Sequence, residues 1–169
     1  MKEKNLAIEI LKKLIAEQII VYRRTNAVKS KKFSEIMQHA MNQYLNGMLT
    51  NEEVIQEMMN LAKQIKEADE EGKALGLTTD ELAFYDALTK PQAIKDFYQN
   101  EELIAITKEL TETLQKNKTI DWQKKDSARA KMRMMIKKLL KVHKYPPDNQ
   151  PEAIDAVMVQ CELWADQSV

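Results

Sequence analysis

One cysteine, two histidines, three glycines and four prolines are spread over 169 residues, and each scarcity closes off a class of protein. A lone Cys161 can form no disulfide within the chain, so a reducing cytoplasm is the expected setting. Falling on an apolar stripe, it reads as an inert core thiol. Three scattered glycines cannot build a phosphate-cradling loop, and no G-x-x-x-x-G-K-[ST] run occurs. His39 and His143 stand far apart, with no cysteine or carboxylate at ligand spacing, which argues against a histidine–metal site. No apolar run approaches the roughly 20 residues of a membrane-spanning helix. The opening MKEKNLAIEILKKL is broken by Glu9, Lys12 and Lys13 and does not read as a signal peptide.

What is present points to helices. Hydrophobic residues make up 44% and charged residues 31%, enough apolar content for a core and too much for a disordered tail. The expectation is all-α: a compact, monomeric multi-helix bundle of about seven helices with short capped connections. Residues 1–169 form one domain, with a possible subdivision into 1–76 and 77–169.

Periodicity places the elements. A first helix is expected over 5–24, with Leu6, Ile10, Leu14 and Ile15 marking one face. After a polar link, TNAVKSKK, a second covers 34–44 with Phe33, Ile36, Met37, Ala40, Met41 and Tyr44. Thr50 and Glu53 form a capping box for a third helix to about residue 74, striped by Val54, Met58, Leu61, Ile65 and Ala68. Then comes the corner LGLTTDELAFYDAL at 75–88. Gly76 is the left-handed terminator, Thr78 and Glu81 make a second box, and Leu77 can staple against Leu82. Pro91 suits a short helix ending near Tyr98, and Asn100 can cap another to about 116. A basic helix over 124–143, a break at KYPPDNQP and a final helix over 152–165 complete the chain.

Two acidic runs imitate chemistry without supporting it. ADEE at 68–71 faintly resembles an ATPase acidic box, yet it ends an amphipathic helix rather than a buried strand, so a solvated face is expected. Glu71-Gly72-Lys73 has the spacing of a nuclease E-x-K, but its only Pro-Asp partner, Pro147-Asp148, lies downstream in the wrong order. Of the ten methionines, Met37, Met41, Met58, Met132 and Met135 have core spacing. Met59 and Met134 fall off those stripes and suit a soft docking surface.

The zero net charge is made of opposed blocks. Nine basic residues against four acidic give +5 over 1–49, and seven against fifteen give −8 over 50–117. Ten against two give +8 over 118–145, and none against five give −5 over 146–169. Self-complementary packing of the blocks and binding of a polyanion both explain this. On the basic helix, Ala128, Met132, Met135, Ile136 and Leu139 define the buried side. Arg129, Arg133, Lys137 and Lys141 follow at four-residue steps on another face. Like charges at that spacing repel by roughly 0.2–0.5 kcal/mol per pair, so the row calls for a negative counterpart. The acidic block at 50–117, a partner protein or phosphates could each supply it. Lys144 extends the basic surface beyond the row, and Trp122, just before the helix, suits a core anchor better than a base-stacking platform.

Taken together in order, LGLTTDELAFYDAL at 75–88, IDW at 120–122, ARAKMRMMIKKLL at 128–140 and YPPD at 145–148 resemble the C-terminal helical region of the R (HsdR) subunit of type I restriction enzymes. FSEIMQHAM at 33–41 and VIQEMMNLAKQI at 54–65 extend the likeness over nearly the whole chain. Lys144 departs from it, standing where the family is expected to place glycine before Tyr145. The resemblance implies a fragment of a bacterial or archaeal cytoplasmic type I deoxyribonuclease whose nuclease and ATP-driven motor domains, with their ATP and magnesium, lie upstream. It implies no catalysis and no cofactor in this fragment. It implies docking of the motor subunit to the methyltransferase and specificity subunits, with Arg129, Arg133, Lys137, Lys141 and Lys144 as candidate partner- or nucleic-acid-binding residues. The other reading is a helical module that tracks duplex backbone through the basic helix at 124–144, without sequence preference.

Overall fold

The structure is a computed structural model and describes residues 2–91, 93–117 and 126–167, with side chains from 6 to 163 within those ranges. Among the described residues there are eight α-helices and no strand: α1 (Lys2–Thr25), α2 (Ala27–Leu45), α3 (Asn51–Leu75), α4 (Thr79–Leu88), α5 (Ala93–Phe97), α6 (Asn100–Asn117), α7 (Asp126–Val142) and α8 (Gln150–Gln167). A 3-10 turn, Pro147–Asn149, leads into α8. None of these helices is long and apolar enough to cross a membrane. IDW, Trp122 and the expected start of the basic helix at 124 lie outside the described residues.

Apolar side chains gather in two clusters. One is built from α1, α2 and α3 around Ile15, Phe33, Met58, Leu61 and Ile65. The other is built from α4 to α8 around Phe84, Leu88, Leu110, Ile136 and Val157. The expected stripe of α3 is buried at every position, as are Met132, Ile136 and Leu139 on α7 and Cys161 on α8. Both capping boxes are formed: Thr50 and Thr78 accept from the amides of Glu53 and Glu81, whose carboxylates accept from the cap amides in return. Gly76 is left-handed at φ +72°, and Leu77 and Leu82 are buried in the same cluster. A β-carbon added at Gly72 would meet Leu82 Cδ2 at 2.9 Å, so the missing side chain lets α4 close onto α3.

Four expectations are corrected. Leu6, Ile10 and Leu14 are exposed, and the buried face of α1 is Ile8, Ile15, Ile19 and Tyr22. The sequence IEILKKLIAEQIIVY carries aliphatic residues around most of its circumference, and the face that can seat Tyr22 edge-on against Phe33 (5.4 Å between rings) is the one that turns inward. The TNAVKSKK link is mostly helix: α1 and α2 are separated by Asn26 alone, whose side-chain oxygen caps the Lys29 amide at 3.1 Å. Lysines there extend the helix because they are good helix formers. Asn100 lies within α6 and accepts the Tyr85 hydroxyl at 3.2 Å. Finally, the 68–71 run is not simply solvated, because Asp69 accepts the Tyr22 hydroxyl and Glu71 pairs with Lys29 at 3.0 Å.

Candidate interaction surface on the basic helix

The end of α7 is set by its backbone. Tyr145 N–H donates to Leu140 O at 2.9 Å and Lys144 N–H to Lys141 O at 3.1 Å, a Schellman termination that holds Lys144 at φ +59°. Glycine is the residue that adopts this conformation at little cost, and here a lysine holds it. The turn is then pinned. Buried Tyr145 donates to Leu88 O at 2.7 Å, Tyr98 donates to His143 O at 2.7 Å, and Gln150 Nε2 donates to Tyr145 O at 2.9 Å. Burial pushes the Tyr145 hydroxyl well above its ordinary pKa, so it stays a donor throughout the physiological range.

The turn fixes α7 against α8, and the row divides. Arg129 pairs with Glu162 and Arg133 with Asp155. The acids that meet the row thus come from the 146–169 block rather than from 50–117. Lys137 and Lys141 are exposed and make no ion pair among the described residues, and Lys144 is exposed at the turn. Met134 projects beside them, 68% exposed, while Met59 is 55% exposed on α3, far along the chain. His143 reaches Glu109 of α6 at 2.6 Å. Among the described residues no three histidine, cysteine, aspartate or glutamate side chains gather as a metal cluster.

A second polar group is buried where the two apolar clusters meet. Asn26 Nδ2 donates to Asp86 at 2.7 Å, and Lys29 lies 3.0 Å from Glu71 and 3.6 Å from Asp86. Gln160 bridges α1 to α2 by donating to Thr25 O and accepting from Ala27 N–H. Burial raises the Asp86 pKa, and Lys29 and Asn26 only partly offset it. In the sequence, LAFYDAL reads only as part of the capped corner. The one hint in the sequence is the carboxylate of Asp86 inside the otherwise uncharged run 82–88, and it names no partner.

The pattern that carries the family likeness is therefore structural: the capped corner, the basic helix and the pinned YPPD turn each hold a defined place. The family model for "Type I restriction enzyme HindI endonuclease subunit-like, C-terminal" matches residues 1–167. The type I restriction enzyme HindI endonuclease subunit of Haemophilus influenzae is 42% identical over 163 residues, 96% of this chain and 16% of that protein. A provisionally assigned type I restriction enzyme MjaIXP endonuclease subunit of Methanocaldococcus jannaschii is 36% identical over 138 residues, 81% of this chain and 13% of that protein. No solved structure matches. The chain spans less than a fifth of the length of these relatives, and it belongs to the family of C-terminal domains of type I restriction enzyme endonuclease subunits.

Proposed function

We propose that this chain is a docking and scaffolding domain, which attaches an ATP-dependent DNA-translocating and cleaving subunit to its methyltransferase core and contributes no catalysis itself. The observation that carries this reading is the division of the basic row. A surface built to follow duplex phosphates would keep its cations available, whereas Arg129 and Arg133 are already engaged by α8 and an exposed methionine stands beside the remaining lysines. Apolar and cationic groups side by side suit a protein surface better than a solvated phosphate backbone.

Binding of the purified chain to the methyltransferase–specificity complex encoded with it tests the proposal. We expect measurable association, weakened by the double reversal Lys137→Glu/Lys141→Glu, and feeble duplex binding at physiological salt. Salt-sensitive duplex binding would favour the phosphate reading. Its log–log slope against salt should be about −1.8 if the two unpaired lysines each neutralise a phosphate, and about −3.6 if the whole row does.

A further inference from the structure

Two grooves flank α8, and a single ridge separates them. On one side, Arg133, Met134 and Lys137 of α7 face Pro147, Pro151 and Ile154 across a space of about 570 Å³. On the other, Lys31 and Lys32 of α2 and Lys90 stand around a floor that includes Val28 and Val159, in a space of about 500 Å³. The Arg133–Asp155 pair is the ridge, because Arg133 lines the first groove and Asp155 the second. Together the two walls carry five cations, against the two carboxylates Glu35 and Asp155. Val159 is 53% exposed, so each groove offers water one large apolar side chain.

We infer that this saddle over α8 is the seat for an acidic protein segment carrying two apolar anchors, one for the Met134 groove and one for the Val159 groove. The inference deepens the docking proposal and rests on it. Charge complementarity selects the occupant: the walls are cationic on both sides of the ridge, and the floors are apolar. Phosphates would find the cations but leave Met134, Val159, Pro147 and Pro151 uncovered, whereas an acidic segment with apolar anchors covers both. The residues involved come from α2, α7 and α8, so the seat exists only in the folded domain. Lys141 lies on the basic row but does not line either groove. That separates this seat from a simple charged stripe.

The test is a titration of the whole chain against the methyltransferase–specificity complex, with a duplex oligonucleotide in parallel. The substituted side chains are exposed, and a thermal melt of each variant checks that it folds. We expect Met134→Ser/Val159→Ser and Lys32→Glu/Lys137→Glu each to weaken the complex by about tenfold or more, and Lys141→Glu by no more than about twofold. If the parent chain binds and the groove variants bind equally well, the saddle is wrong and docking stands elsewhere. If Lys137→Glu and Lys141→Glu act alike, the row rather than the saddle is the contact. If the parent fails to bind the complex but binds duplex, with Lys137→Glu and Lys141→Glu both weakening it, the saddle and the docking reading fall together.

Discussion

Two seams of opposite charge hold this molecule, and they differ in depth. At the inner seam, Lys29 (12% exposed) sits between Glu71 and the nearly buried Asp86, with Asn26 donating to the same aspartate. At the outer seam, Arg129 and Arg133 meet Glu162 and Asp155 with side chains between about a third and two-thirds exposed. The inner seam joins the first two charge blocks and the outer seam the last two. Chemically they are the same interaction, but water decides their value. Buried, an ion pair fixes which helices meet, because a lost partner leaves a charge with nowhere to go. Exposed, it costs little to open, so a competing carboxylate from outside can take the place of Asp155 or Glu162.

The largest effect should come from removing the inner cation. Lys29→Met leaves Asp86 and Glu71 facing each other without a counter-charge. We expect a loss of about 3 kcal/mol in urea unfolding, the low end for a broken buried pair, because Asp86 can relieve itself by taking a proton. The sign of the pH dependence follows. A carboxyl whose folded pKa is raised is more stable folded when protonated. Its contribution is therefore full below its ordinary value near 3.8 and is lost as pH rises through the raised folded value. Lowering the pH toward that window should narrow the gap between Lys29→Met and the parent, and Asp86→Asn should flatten the slope. A gap that widens on acidification would show that Asp86 is not the group left stranded.

Next in size is the corner that joins the two apolar clusters. Thr78→Ala/Glu81→Ala removes both halves of a capping box, and we expect a loss of about 1–3 kcal/mol. Melting the double variant in the Lys29→Met background sharpens the point. If corner and inner seam hold α4 against the same neighbours, the losses will not add.

This corner was legible in the sequence down to individual hydrogen bonds, because caps and terminators are local chemistry: Thr78, Glu81 and Gly76 act on residues within one turn. The stripes of α3 and α7 were legible for a related reason, being periodic. The inner seam was not. Asn26, Lys29, Asp86 and Gln160 are separated by up to 134 positions, and nothing in TNAVKSKK discloses that its asparagine will face a carboxylate sixty residues on. The face of α1 was misread because periodicity cannot choose between two apolar stripes on one helix. The basic row was visible, but its partners on α8 depend on how a proline-led turn aims the last helix.

That turn supplies a smaller effect with the opposite sign. Gly47 and Gly76 take the left-handed position at their helix ends, and Lys144 takes it with a side chain. Lys144→Gly should raise stability by about 0.5–1 kcal/mol by relieving that conformation, partly offset by the greater freedom of glycine in the unfolded chain. An alanine control should not reproduce the gain, because its β-carbon meets the same backbone clash. If alanine stabilises equally, the lysine side chain rather than the backbone is the source.

The smallest expected effect is at the outer seam. Arg133 and Asp155 are 52% and 64% exposed, so a double-mutant cycle with alanine at both positions should give a coupling of only about 0.2–0.5 kcal/mol, falling further as salt is raised. That weakness distinguishes the outer seam from the inner one. A pair this weak can close the ridge between the two grooves in the free chain and still open to the acidic segment we propose. The same cycle repeated in the presence of the methyltransferase–specificity complex would show the coupling shrink, as Arg133 exchanges Asp155 for an outside carboxylate. A coupling above roughly 1 kcal/mol in the free chain, insensitive to salt, would place Arg133 and Asp155 with the inner seam as structural fasteners and remove the contrast between the two.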